Sequence, residues 1–177
     1  MQRTLTGFVV VALLVGPVAG TTLVKKNLAQ LARESEAIVV AKVVGNTCAW
    51  DADHKLIWTE TSLRIIESWK GSLKGRITLH EPGGVVGTVG QHVPGMARYR
   101  AGDTVVIFMN KDVLGQWRTC GCIQGAYRVV HTDGRNAPEI GTWTRHVVAG
   151  FIGENADMAS FKKTVEGLVS TEPRRGK

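Results

Sequence analysis

Between Glu36 and Val130 the chain is a succession of short runs rich in Val, Ile, Thr and aromatic residues: EAIVVAKVV, LIWTETSLRIIESWKG, GRITLHEPGG, RYRAGDTVVIFMN and GAYRVV. Gly, Pro and Asp punctuate them. Runs of this length bounded by turn residues are β-strands, and several at this spacing indicate an all-β sandwich or barrel. No helical stretch of useful length intervenes, which argues against a βαβ sheet.

The first run, Ala37 to Val44, is apolar on both faces apart from Lys42, so both faces need cover. Gly45 to Lys55 reads as a polar loop carrying Cys48, Trp50 and His54. The next strand, Ile57 to Trp69, is long enough to bend and serve two sides of a barrel, with Leu63, Ile65 and Trp69 on one parity. After Gly75, Ile77 and Leu79 alternate with Thr78 and His80 in a half-buried pattern. The run EPGGVVGTVGQHVPG, Glu81 to Gly95, is either a long exposed loop or a pair of frayed edge strands. A turn at Arg100 to Asp103 leads into the strand Thr104 to Met109, and shorter strands follow at Gln116 to Cys120 and Ala126 to Val130. Val24, Leu28 and Leu31 predict a short helix ahead of the first strand. Met158, Phe161, Val165 and Leu168 predict a second helix that packs on the sheet, with Asn155 as its N-cap and Asp157 at the positive end of its dipole.

The N-terminus reads as an export signal. Arg3 is a positive n-region, Phe8 to Val15 an apolar core, and Val18-Ala19-Gly20 a small-residue cleavage site. That core is shorter than the roughly 20 apolar residues a membrane span needs. The chain therefore divides into a signal peptide at 1–20, one domain at 21–170 and a frayed basic tail at 171–177, and the mature protein is expected outside the cytoplasm, periplasmic or extracellular, without stable membrane insertion.

The formal net charge is +7, but the basic residues are dispersed along the sequence. Dispersed charge marks a solvated surface and argues against a nucleic-acid partner. Three cysteines in an exported chain suggest one disulfide and one thiol left over. Cys120 and Cys122 are too close in sequence for an unstrained bond, so Cys48 with either of them is the expected pair. Such a bond closes a loop of about 70 residues, for roughly 4 kcal/mol in the chain-entropy model. The alternative is three reduced thiols buried as small hydrophobes.

Several features together resemble the netrin-like OB-fold, the fold of the N-terminal domain of tissue inhibitors of metalloproteinases. They are Ser35 to Val43, the strand from Ile65 ending in Trp69-Lys70-Gly71, and Gly102-Asp103 ahead of Val105-Val106-Ile107-Phe108. Gly83-Gly84 and Gln124-Gly125-Ala126-Tyr127 are similar to a group of uncharacterised exported bacterial proteins. The resemblance implies a five- to six-stranded OB-type barrel with a short N-terminal and a C-terminal helix. It implies no zinc chelation, because the inhibitors use a Cys-x-Cys at the mature N-terminus, whereas Cys120-Gly121-Cys122 lies deep inside this chain.

His54, His80, His92, His131 and His146 are scattered without metal-ligand spacing, and no nucleophile elbow or Walker loop is present. The expectation is a non-enzymatic module with no metal or cofactor, acting through barrel loops on a protein partner, conceivably a secreted metalloprotease. Candidate contact residues are Trp50 and Trp58, which flank the first long loop, Gly83, Gly84 and His92. An OB-type oligosaccharide or nucleic-acid binder is the alternative. A thiol or metal site at Cys120-Gly121-Cys122 comes third.

Overall fold

β1, Ala37–Trp50, is buried on both faces over its first residues, as its two-sided apolar pattern demands. The computed structural model describes residues 23–132, 135–140 and 157–171. The leader at 1–20, a mature start at Thr21, the Asn155 cap, His146, the side chain of His131 and the tail beyond Thr171 lie outside those residues. The remaining strands are β2 (Ile57–Lys70), β3 (Arg76–Pro82), β4 (Gly84–Val86), β5 (Val89–Gln91), β6 (Thr104–Lys111), β7 (Trp117–Thr119), β8 (Ala126–Thr132) and β9 (Arg135–Ile140). Two helices complete the mainly β chain, α1 (Leu28–Glu34) and α2 (Met158–Ser170).

The main sheet is ordered β1-β2-β3-β7-β6-β8-β9, and β6 pairs with β1 as well. The pairing is antiparallel except between β3 and β7, which meet in parallel at Leu79 and Trp117. β4 and β5 form a separate hairpin. Thus Glu81 to Gly95 contains paired strands, the second of the two readings. The strand β9 was not foreseen: RNAPEI carries a proline and charges, which edge strands tolerate and central ones do not.

Two cores lie on opposite faces of β1 and β6. The helix-covered core joins Leu28, Leu31, Ile38, Val40, Val106, Phe108, Tyr127, Phe161 and Val165. The enclosed core joins Val39, Ala41, Val43, Leu63, Leu79, Val105, Ile107 and Met109. β-strand alternation sends neighbouring residues of β1 into different cores.

Two sequence expectations need correcting. β1 does not stop at Val44: a register shift between Val43 and Gly45 is absorbed, and Thr47 to Trp50 go on pairing with β2 as far as Ile57. The polar loop is only the turn after Trp50, tied by the Asp51 carboxylate accepting from Lys55 N–H at 2.7 Å and Leu56 N–H at 3.1 Å. Trp69 also leaves the parity of Leu63 and Ile65. Register shifts opposite Val40 and Ile38 re-aim it, so it packs edge-on against Phe161 at 5.8 Å under α2 instead of closing the enclosed core.

The helix ends follow local chemistry. Asn27 caps α1 in a capping box with Gln30, the two exchanging side chain to backbone bonds of 2.8 Å. Val24 therefore lies outside the helix and is exposed. α2 is capped by Asp157, whose carboxylate accepts from Ser160 N–H at 2.7 Å. At the other end of α1, Lys70 Nζ donates to the carbonyls of Ala32 at 2.9 Å and Arg33 at 3.2 Å, placing a cation on the negative end of the helix. The Lys-Gly strand end thus has a structural role. Among the described residues, no helix is long and apolar enough to cross a membrane.

Candidate functional site

The enclosed face changes character along β1, β2 and β3. Past Val43, Leu63 and Leu79 the inward positions become Asn46 and Cys48 on β1, Thr59 and Thr61 on β2, and Glu81 on β3, with Cys48 opposite Thr59 and Thr59 opposite Glu81. The Gly83-Gly84 corner, Val85 and the segment Ala97 to Tyr99 cover them, leaving a cavity of about 230 Å³.

Glu81 is the carboxylate of this cavity and is 4% exposed, and Arg98 is the cation among its lining residues. Its Oε1 accepts from Thr119 N–H at 2.8 Å. The nearest cation, Arg118, is committed elsewhere: Nε and Nη2 donate to Asp112 Oδ2 at 2.9 and 2.8 Å, and Nη1 to the His80 carbonyl at 3.0 Å. Burial raises the Glu81 pKa above the usual carboxylate range, and the Thr119 bonds and the charge of Arg118 only partly oppose it. Burial likewise lifts the Tyr99 phenol well above its ordinary value, with the Glu81 charge adding to it. Tyr99 Oη stands 2.6 Å from Thr119 Oγ1. Either hydroxyl of that pair can donate to the other.

The other side-chain donors are spent in the same way. Thr59 donates to the Gly83 carbonyl at 2.5 Å, Thr61 to Asn46 Oδ1 at 2.8 Å, and Asn46 Nδ2 to the Tyr99 carbonyl at 2.8 Å. Cys48 Sγ is 3.3 Å from Thr59 Oγ1; with the single Thr59 proton used on Gly83, the thiol is the donor.

Gly84 is where glycine is indispensable. Its φ is +146°, and a Cβ there would stand 2.6 Å from Thr59 Oγ1 and 2.7 Å from Cys48 Sγ. The hairpin it opens is tied to the β1–β2 end by Gly83 N–H donating to the Ile57 carbonyl at 2.7 Å and by Ile57 N–H donating to Gln91 Oε1 at 2.6 Å. Val85 and Val89 stand exposed on it.

Of the residues singled out from the sequence, Cys48, Gly83 and Gly84 converge here. His92 joins at the rim, its Nδ1 3.2 Å from Arg98 Nη2. Trp50 is half-buried at the far end of β1, tilted against His54 at 6.2 Å. Trp58 points to the opposite face of β2, where Arg118 lies over its ring at 4.2 Å. The expected disulfide is not formed: Cys48, Cys120 and Cys122 are all free. Cys48 faces the cavity, whereas Cys120 is buried in the helix-covered core, so the two thiols lie in different compartments. Burial raises the Cys122 pKa, which disfavours its thiolate. No group of three metal-ligating side chains occurs among the described residues.

Sequence reasoning missed Glu81, Thr119 and Tyr99. The signal was the alternation Ile77, Leu79, Glu81, which sets a carboxylate on an inward position. It also missed a row of cations. Lys42 pairs with Arg64 and Arg64 with Arg76 across three neighbouring strands on the outer face, and none has an ion-pair partner among the described residues.

No protein-family model matches the chain, and no curated protein matches it significantly.

Proposed function

We propose that the chain is an exported, OB-type (netrin-like) binding module that holds a protein partner, without catalysis, at the end of its barrel bearing the β4–β5 hairpin. The order of strand pairing supports the barrel: β1, β2 and β3 follow in sequence, β7 joins β3 in parallel, and β6 returns to β1. The observation that carries the site is the polar cavity around Glu81 beneath a hairpin whose Val85 and Val89 are exposed. Apolar side chains beside a concave polar site give a partner both area and orientation. A secreted metalloprotease fits as partner only by surface blocking, since Cys120-Gly121-Cys122 lies between β7 and β8, where no free α-amine exists.

The test is photo-crosslinking from position 85 in an envelope extract, with position 113, also exposed, as the comparison. Capture of one protein from 85 and not from 113, abolished by Val89→Glu, is the expected result. Equal capture from both positions would remove this end as the binding surface.

The second reading is an anionic oligosaccharide or nucleic acid lying across Lys42, Arg64 and Arg76. Like charges directly opposite one another are destabilising in a sheet, and an anion laid across the row would relieve that. A polymer ligand would be released from the immobilised protein by salt, and its binding would fall in Arg64→Gln/Arg76→Gln.

A further inference from the structure

The cavity holds acceptors whose donors are missing. Glu81 presents a carboxylate that has no ion-pair partner among the described residues, although it is 4% exposed. Around it, Gly83, Tyr99 and Asn46 line the same space, and the Gly83 and Tyr99 carbonyls and Asn46 Oδ1 accept from Thr59, Asn46 and Thr61. A carbonyl or amide oxygen has two lone pairs, so each of these three keeps capacity after taking the single bond from Thr59, Asn46 or Thr61. Thr59, Asn46 and Thr61 spend their donors on these oxygens, and the guanidinium of Arg98, the cation among the lining residues, turns to the Gln91 carbonyl and His92 and makes no ion pair with Glu81 among the described residues. What the Glu81 carboxylate lacks is a donor-rich cation bonded to it.

We propose that this cavity takes the guanidinium or ammonium tip of an Arg or Lys side chain presented by the polypeptide partner, with Glu81 as its counter-charge. The proposal rests on the binding reading above and names the anchor of that complex. A buried carboxylate is costly without a partner, and a charge-assisted bond to a donor-rich cation offsets that cost on binding. The cavity, about 230 Å³, is of the size of a single long side chain and too small for a folded element. Arg98 stands at the rim, held by the Gln91 carbonyl at 3.4 Å and His92 at 3.2 Å. An entering cation must pass it, so Arg98 weakens binding and selects a long side chain with its charge at the tip.

The probes are the capped peptide acetyl-Ala-Arg-Ala-amide, the same peptide with citrulline for arginine, and n-butylguanidinium, each titrated by calorimetry and by amide chemical shifts. The arginine peptide should bind, shifting the amides of Thr119 and Gly84. The citrulline peptide, isosteric and neutral, should bind at least about tenfold more weakly, the scale of one charge-assisted bond. Glu81→Gln should cost a similar factor with the fold kept, since its amide oxygen still accepts from Thr119. Arg98→Gln should tighten binding. No binding of the arginine peptide at millimolar concentration, equal binding of the citrulline peptide, or affinity unchanged in Glu81→Gln would each overturn the proposal. Tighter binding of n-butylguanidinium than of the peptide would overturn the polypeptide source. Crosslinking at position 85 without cation binding would leave the hairpin surface standing and remove only the anchor, so the two failures are distinguishable.

Discussion

The two ends of the enclosed face are built by the same three strands, β1, β2 and β3, and they bury different things. At one end Val43, Leu63 and Leu79 meet with Ile107 and Met109 in a wholly apolar cluster. At the other, Thr61, Thr59 and Glu81 continue the alternation of Leu63 and Leu79, Asn46 joins them past the register shift in β1, and space is left among them. The first arrangement gains from every methylene it removes from water. The second gains little from burial and depends on each donor finding its acceptor. On β2 and β3 one strand parity therefore builds both ends, while on β1 the parity changes at the Val43/Gly45 register shift, where the division falls.

Substitutions at the two ends should behave accordingly. Leu79→Ala should be the most damaging, removing about 2–5 kcal/mol by transfer and cavity terms, read as a lowered denaturant midpoint. It should leave the affinity of whatever folded protein remains for the arginine peptide unchanged. Gly84→Ala should cost about 1–3 kcal/mol through its positive φ and the collision with Thr59 and Cys48, and here peptide affinity should fall with stability. A Gly84→Ala protein as stable as the parent would mean that the corner relaxes and does not shape the cavity.

Glu81→Gln should have the opposite sign. Ionisation of Glu81 is penalised in the fold and not in the unfolded chain, so the wild type binds its proton more tightly when folded. Stability tied to this group is present below the ordinary value of 4.5 and is lost as pH rises toward and through the raised folded pKa. The glutamine variant should therefore be more stable than wild type at neutral pH, by something on the order of 1 kcal/mol. The gap should close at pH 4, as paired denaturation curves at the two pH values would show. A gap independent of pH would mean that Glu81 does not titrate in that window.

The smallest effect belongs to the outer surface. Glu67 is held below the ordinary carboxylate range by its bond to Lys162, helped by Trp69 Nε1 donating at 3.0 Å. This pair ties α2 to β2 at an exposed position, where salt screens it. Its contribution is present above the ordinary carboxylate pKa and fades as pH falls through the depressed one. Glu67→Gln should lower the melting temperature slightly in dilute buffer and by less in 0.5 M salt, about where screening shortens to a few ångströms. A loss as large as that of Leu79→Ala would show that α2 hangs on this contact instead of on Phe161 and Val165.

The apolar end was legible in the residues and the polar end was not. Ala37 to Val43 announces a strand covered on both sides because every position is apolar except Lys42. Ile77 and Leu79 disclose their face by simple alternation. Glu81 continues that alternation, yet a charged residue followed by Pro82-Gly83-Gly84 reads as the start of a loop. Its burial depends on Tyr99, from the segment between β5 and β6, and Thr119, from β7, both distant in sequence. Trp69 and the cation row were hidden for a related reason, since parity along a strand fails wherever the register slips. The free cysteines illustrate a third limit: residue counting offers possible pairs, but Cys48 and Cys120 end on different sides of the sheet.

β1 belongs to both cores at once, with Ile38 and Val40 in one and Val39 and Ala41 in the other. Stripping the helices from their side would wet one set of these side chains while the alternate set stayed packed through the same backbone. A strand held in this way cannot open in halves. The two clusters should act as one cooperative unit, with the slowest-exchanging amide hydrogens of the molecule along Val39 to Ala41, opening only when the whole chain unfolds. The β4–β5 hairpin lies outside both cores, and its amides should exchange by local fluctuations that never trouble the centre.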